Sequence, residues 1–93
     1  MTDTDSGIVF FATQRHDEVV DFYREVVGAE TWLEQTGCTI LNYGDFKFGF
    51  CERDRTDDAG ILTFLFDDRA GVDAMHERLG DAARGPPEDN EQY

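Results

Sequence analysis

The sequence predicts an α+β fold: a strand, a helix and three more strands, followed by a second strand and helix. Three observations carry this. The stretch GIVFFATQRHDEVVDFYREVVG, residues 7–28, joins a short apolar run to a segment with helical periodicity. Residues 29–54, AETWLEQTGCTILNYGDFKFGFCERD, break twice at glycine turns and alternate apolar and polar positions. Residues 61–79, ILTFLFDDRAGVDAMHERL, repeat the plan of the opening: an apolar strand, a polar break and a helix.

Ile8 to Thr13 is too short for a helix and rich in β-branched and aromatic residues, so it reads as a buried strand. The helix runs from about His16 to Val27, with Val19, Phe22, Tyr23, Val26 and Val27 on one apolar face. Gly28 ends it, because glycine takes the left-handed conformation without strain. Thr36-Gly37 and Gly44-Asp45 separate the next three strands. A two-residue loop at Gly44-Asp45 pairs Tyr43 with Phe46, Leu41 with Phe48, Ile40 with Gly49 and Cys38 with Cys51. Phe46, Phe48 and Phe50 then share the face that covers the helix. Lys47, Gly49 and Cys51 point the other way, with Cys38, Ile40 and Asn42.

Arg53 to Gly60 is a charged connector. ILTFLFDD reads as a fifth strand, with Asp67-Asp68 capping a helix over Arg69–Leu79 whose apolar stripe is Val72, Met75, His76 and Leu79. Residues 1–6 and the tail 81–93 have no periodicity and are expected to lack regular structure. The chain is read as a single domain, 1–93, with a first module at 7–52 and a partial second one at 61–80.

The formal net charge is −13, which argues against nucleic acid and anionic membrane surfaces as partners, since both would be repelled. No apolar run approaches a membrane span and no signal-peptide series opens the chain, so the expected location is cytoplasmic. Asp outnumbers Glu and Lys47 is the only lysine. Asp17, Asp21 and Glu25 repeat like charges at i,i+4, a repulsion that molar salt removes. The composition therefore points to a halophile. Cys38 and Cys51 belong to no CxxC or Cys/His cluster; cross-strand neighbours can be bridged, but a reducing cytosol favours two thiols.

IVFFAT, VVDFYREVVGAE and ILTFLFDDRAGVDAMHERL, spread over residues 7–80, resemble the vicinal oxygen chelate superfamily, which includes glyoxalase I, bleomycin-resistance proteins and extradiol dioxygenases. The resemblance implies a βαβββ module followed here by an incomplete second module (βα), with sheets curled around a cleft and helices outside. It also implies an exposed edge on the fifth strand, which a homodimer would cover. In metal-using members, the cleft's ligand positions correspond to Ile8, Gly49 and Ile61. None offers a donor atom, so no metal and no cofactor is expected. His16 and His76 lie on helices and read as ordinary helix residues. Glu52 has the wrong strand parity unless a bulge turns it.

By parity the cleft is lined by Ile8, Phe10, Ala12, Ile40, Asn42, Lys47, Gly49, Ile61 and Thr63. This is an apolar pocket with a few polar groups, the usual composition of a small-molecule site. Lys47 beside Asn42 reads either as an anion holder or as a solvated pair near a turn. The other aromatic residues, Trp32 included, read as core. No nucleophile–base pair, phosphate loop or carboxylate dyad is present. The functional expectation is a metal-free small-molecule binding protein. The alternatives are a divalent-metal-dependent lyase or dioxygenase of the same superfamily, or a purely associative protein.

Overall fold

A computed structural model describes residues 7–87. The chain divides into two units, one ending at Gly60 and one beginning at Ile61. In the first, β1 (Ile8–Thr13) leads into α1 (His16–Asp21), which continues as a π-helical segment over Phe22–Val27. β2 (Glu30–Gln35), β3 (Cys38–Tyr43) and β4 (Phe46–Glu52) follow. They form one sheet in the order β1-β4-β3-β2. β1 runs parallel to β4, and the other two pairings are antiparallel. This mixed sheet with its helix is the α+β architecture that the residue pattern predicts.

The hairpin register follows the alternation. Tyr43 pairs with Phe46, Leu41 with Phe48, Ile40 with Gly49 and Cys38 with Cys51. Gly44 supplies the positive φ, 61°, that the two-residue turn needs. Phe48 and Leu41 are completely buried, and the Tyr23 ring lies 5.2 Å from Phe48 and 5.3 Å from Phe50. Burial pushes the Tyr23 phenol above its ordinary value. The helix thus packs on the Phe48–Phe50 face of the sheet.

The helix face differs from the one extrapolated at 3.6 residues per turn. The deepest positions are Val20, at 1% exposure, and Val27, at 4%, whereas Val19, Phe22 and Val26 are half-buried. Val20 lies in the α-helical turn, and Val27, already on the expected face, closes a segment of wider winding over Phe22–Val27, where the Gly28 N–H donates to the Tyr23 carbonyl at 2.9 Å. Each residue there turns through a smaller angle than in an α-helix.

β1 lies at one edge of the sheet, and the connector runs back along its C-terminal half. The Ala12 N–H donates to Asp57 Oδ2 at 2.8 Å, and the Asp57 N–H donates to the Ala12 carbonyl at 2.9 Å. The Gln14 N–H donates to Thr56 Oγ1 at 3.0 Å. A side chain and a loop therefore satisfy edge groups that another strand would otherwise take.

The second unit departs from expectation at its start. Residues 61–66 join no sheet among the described residues. Alternation and β-propensity describe only how side chains would lie on a strand; a strand also needs a backbone partner. Exposure does alternate along the segment, with Ile61 at 89% and Leu65 at 88% against half-buried Leu62, Phe64 and Phe66. Phe66 folds against the first turn of α2 (Arg69–Leu79), where a β-carbon on Gly71 would come within 2.8 Å of Phe66 Cβ. Asp68 caps this helix, its Oδ1 accepting from the Gly71 N–H at 3.0 Å. No α2 residue is fully buried, and Val72 is 40% exposed. Gly80–Ala82 forms a 3-10 turn within the stretch expected to be irregular. The expectations for residues 1–6 and 88–93 lie outside the described residues.

Candidate functional site

One side of the sheet is taken by the helix; the other carries the predicted lining of the first unit. The registers set Ile8 beside Lys47, Phe10 beside Gly49 and Ala12 beside Cys51. They also set Asn42 opposite Lys47 and Ile40 opposite Gly49. Ile8, Phe10, Ile40, Asn42, Lys47 and Gly49 therefore lie on one face, as strand parity requires. Ile61 and Thr63 belong to the second unit, where both are exposed in the segment that joins no sheet.

The face is a shallow trough. Its floor is Ile40, at 6% exposure, and Gly49, and the Phe10 ring lies directly over Gly49. Phe10 itself is 52% exposed. The opposite wall comes from β2, through a feature the sequence reading missed. The β2–β3 register shifts between Thr31 and Leu33, so Leu33 faces Ile40 while Trp32 is the extra residue. Such a bulge re-aims a side chain. Trp32 is not core but 52% exposed, and the Lys47 ammonium sits 5.4 Å from its ring centroid. This is a cation–π contact that reaches across β3. Strict alternation cannot foresee a bulge; the cue available was the adjacent apolar pair Trp32-Leu33, which breaks the alternation of a strand whose other residues are polar.

Between Trp32 and Lys47 stands Asn42, whose Oδ1 is buried and meets no donor among the described residues. A buried carbonyl oxygen in that state is an acceptor waiting for a ligand or a water.

The implied metal positions do not fit an ion. Ile8 has no donor atom, and the space above Gly49 is filled by a phenyl ring: a β-carbon there would meet Phe10 Cδ1 and Cε1 at 2.8 Å. Among the described residues no three His, Cys, Asp or Glu side chains converge. No metal-dependent step is therefore derived.

Cys38 and Cys51 are joined as a disulfide, contrary to the expectation of two thiols. Their Cα atoms are 4.0 Å apart, and the Glu52 N–H donates to the Gly37 carbonyl beside them. This is the narrow, non-hydrogen-bonded kind of cross-strand pair, which brings side chains closest.

A second concavity of about 660 Å³ is lined by His16, Asp17, Glu34, Gln35, Thr36, Gly37 and Glu52. His16 is not an ordinary surface residue of the helix. Its Nε2 lies 2.9 Å from Thr39 Oγ1 and its Nδ1 2.9 Å from Asp17 Oδ1. Its backbone N–H donates to Glu52 Oε1 at 3.2 Å. Thr39 is fully buried, so its hydroxyl orients the ring and is not open to a substrate.

The sheet, its helix and the βαβββ order are those of the glyoxalase/bleomycin resistance fold. A glyoxalase/bleomycin resistance protein/dioxygenase from Nocardioides superposes with a TM-score of 0.70 at 13% identity, over 98% of this chain and 71% of that one. The fosfomycin resistance protein of Mesorhizobium loti gives 0.66 at 18% identity, over 98% and 78%. The bleomycin resistance determinant encoded on transposon Tn5 gives 0.63 at 18%, over 95% and 72%. No protein-family model and no curated protein matches the sequence. At these identities the likeness is one of fold.

Proposed function

We propose that this chain is a small-molecule binding protein of the glyoxalase/bleomycin resistance/dioxygenase superfamily, holding its ligand on the sheet face opposite the helix. The observation that carries this is the pairing of two half-exposed aromatics, Phe10 and Trp32, across a low floor of Ile40 and Gly49. An apolar trough with a few polar groups at one end is how small-molecule sites are usually built. The folds of the resistance proteins among its structural neighbours support the reading. The superfamily's metal chemistry finds no donors at Ile8 and Gly49, so binding is favoured over a lyase or dioxygenase reaction.

The same reading takes residues 1–93 as one domain of a cytoplasmic homodimer. A second chain would cover apolar residues such as Ile61 and Leu65. Among the described residues no helix is long and apolar enough to cross a membrane. A fragment screen followed by backbone amide shifts tests the site. Hits should move Phe10, Trp32, Ile40 and Gly49 together, and hits confined to other surfaces would refute the assignment.

A further inference from the structure

One polar atom of this face is left without a partner. Asn42 Oδ1 is buried and accepts no hydrogen bond among the described residues. A buried amide oxygen in that state destabilises the free protein, and a donor delivered to it recovers the loss. Its neighbours in register supply none. Asn42 pairs with Lys47 on β4 and with Glu30 on β2, so these three side chains share one end of the trough. Glu30 adds a second acceptor there. The Lys47 ammonium is already engaged, the Trp32 ring among its contacts at 5.4 Å.

We infer that the ligand of this face is an uncharged planar molecule with an N–H or O–H donor on its rim: the flat body lies between Phe10 and Trp32, and the donor meets Asn42 Oδ1. This inference rests on the reading that the trough is the binding site. The aromatic walls suit a planar body, since ring faces attract each other in offset stacks. The Ile40–Gly49 floor has no polar side-chain atom, so a donor is satisfied only at the Asn42 end. Neither sign of charge is favoured there. The net charge of −13 repels an anion, and the Lys47 ammonium at the same end repels a cation. The Trp32–Lys47 contact crosses β3 beside Asn42, and Trp32 is 52% exposed. An exposed cation–π contact is weak, so a ligand that displaces it and satisfies the buried oxygen gains more than it gives up.

The test compares indole, benzofuran and quinoline, flat bicyclic molecules that are uncharged at neutral pH. Indole carries a donor, benzofuran has its shape without one, and quinoline carries an acceptor. Affinity is read by calorimetry, and position by the side-chain N–H shift of Trp32, the chain's only tryptophan, in isotope-labelled protein. Indole should move that signal and bind about tenfold tighter than benzofuran, the worth of one hydrogen bond to a buried acceptor. Asn42→Leu, close in size but without the oxygen, should erase this preference. It should leave the free protein no less stable, because it removes an unpaired polar atom. Asn42→Asp keeps an acceptor and should keep the preference. Equal binding of indole and benzofuran by the unmodified chain, with the Trp32 signal moved, would overturn the donor inference and leave the trough standing. Tighter binding of quinoline, or a preference that survives Asn42→Leu, would do the same. Failure of every probe to move the Trp32 signal would overturn both.

Discussion

The Phe10 ring occupies the space that a side chain at Gly49 would need, with a β-carbon there only 2.8 Å from two of its ring atoms. β1 and β4 are parallel neighbours, and these two residues face each other in register. Gly49→Ala should therefore force the ring up and out of its seat. The expected cost is about 1–3 kcal/mol, the usual range for overpacking, read as a shifted midpoint in urea. Phe10→Leu in the same chain should recover part of it, because a smaller side chain clears the new methyl. Additive losses in the double variant would show that the ring and the glycine are not coupled.

Phe48 marks the opposite face. It is fully buried and its ring meets Tyr23, Phe46 and Phe50. Phe48→Ala should lose about 3–5 kcal/mol, a large part of the stability of any domain this size. Thermal melting followed by circular dichroism measures it. A loss under about 1 kcal/mol would mean that the helix is not seated on this ring.

Asp57 closes the edge of β1, and its carboxyl is held below the ordinary aspartate range. The first cause is the Ala12 N–H bonded to it, aided by Arg55, with partial burial working the other way. A carboxyl with a lower pKa folded than unfolded binds fewer protons when folded. Its contribution is complete above the unfolded value and fades as pH falls through the folded one. Asp57→Asn should therefore lose this contribution at neutral pH and flatten the acid limb of the stability curve, the two proteins converging at low pH. A carbon-detected titration of Asp57 reads the shift directly, and an ordinary or raised value would contradict the edge contact.

The Cys38–Cys51 bridge predicts a countable result. Alkylation of the unfolded, unreduced protein should label no thiol, and labelling after reduction should add two groups. Reduction should lower stability by no more than about 3 kcal/mol, the chain-entropy limit for a loop of this size, because the hairpin already holds the two strands. Two reactive thiols before reduction would return the pair to the reduced state that the sequence analysis expected.

Salt should stabilise the fold. Asp17 is exposed at 96% of its side chain, and Asp21 is held partly by Arg24 at 3.1 Å. Melting temperature should rise between low and molar KCl as repulsion among the acidic groups is screened. A flat or falling profile would remove the case for a salt-rich setting.

Local pattern alone determined the first unit's strands, its hairpin register and the split between the Phe48 face and the Lys47 face, because side-chain period and turn chemistry are properties of neighbours in the chain. It placed Ile8, Phe10, Ile40, Asn42, Lys47 and Gly49 together for the same reason. Tertiary structure decided whatever depended on a partner from elsewhere in the chain. A bulge turned Trp32 toward Lys47, and packing buried Val20 as deeply as the expected Val27. A hydroxyl on β3 took up His16, and residues 61–66 kept a strand's alternation while joining no sheet among the described residues. Periodicity states which residues can share a face. Only packing and backbone pairing settle which face is covered and which is left open for a ligand.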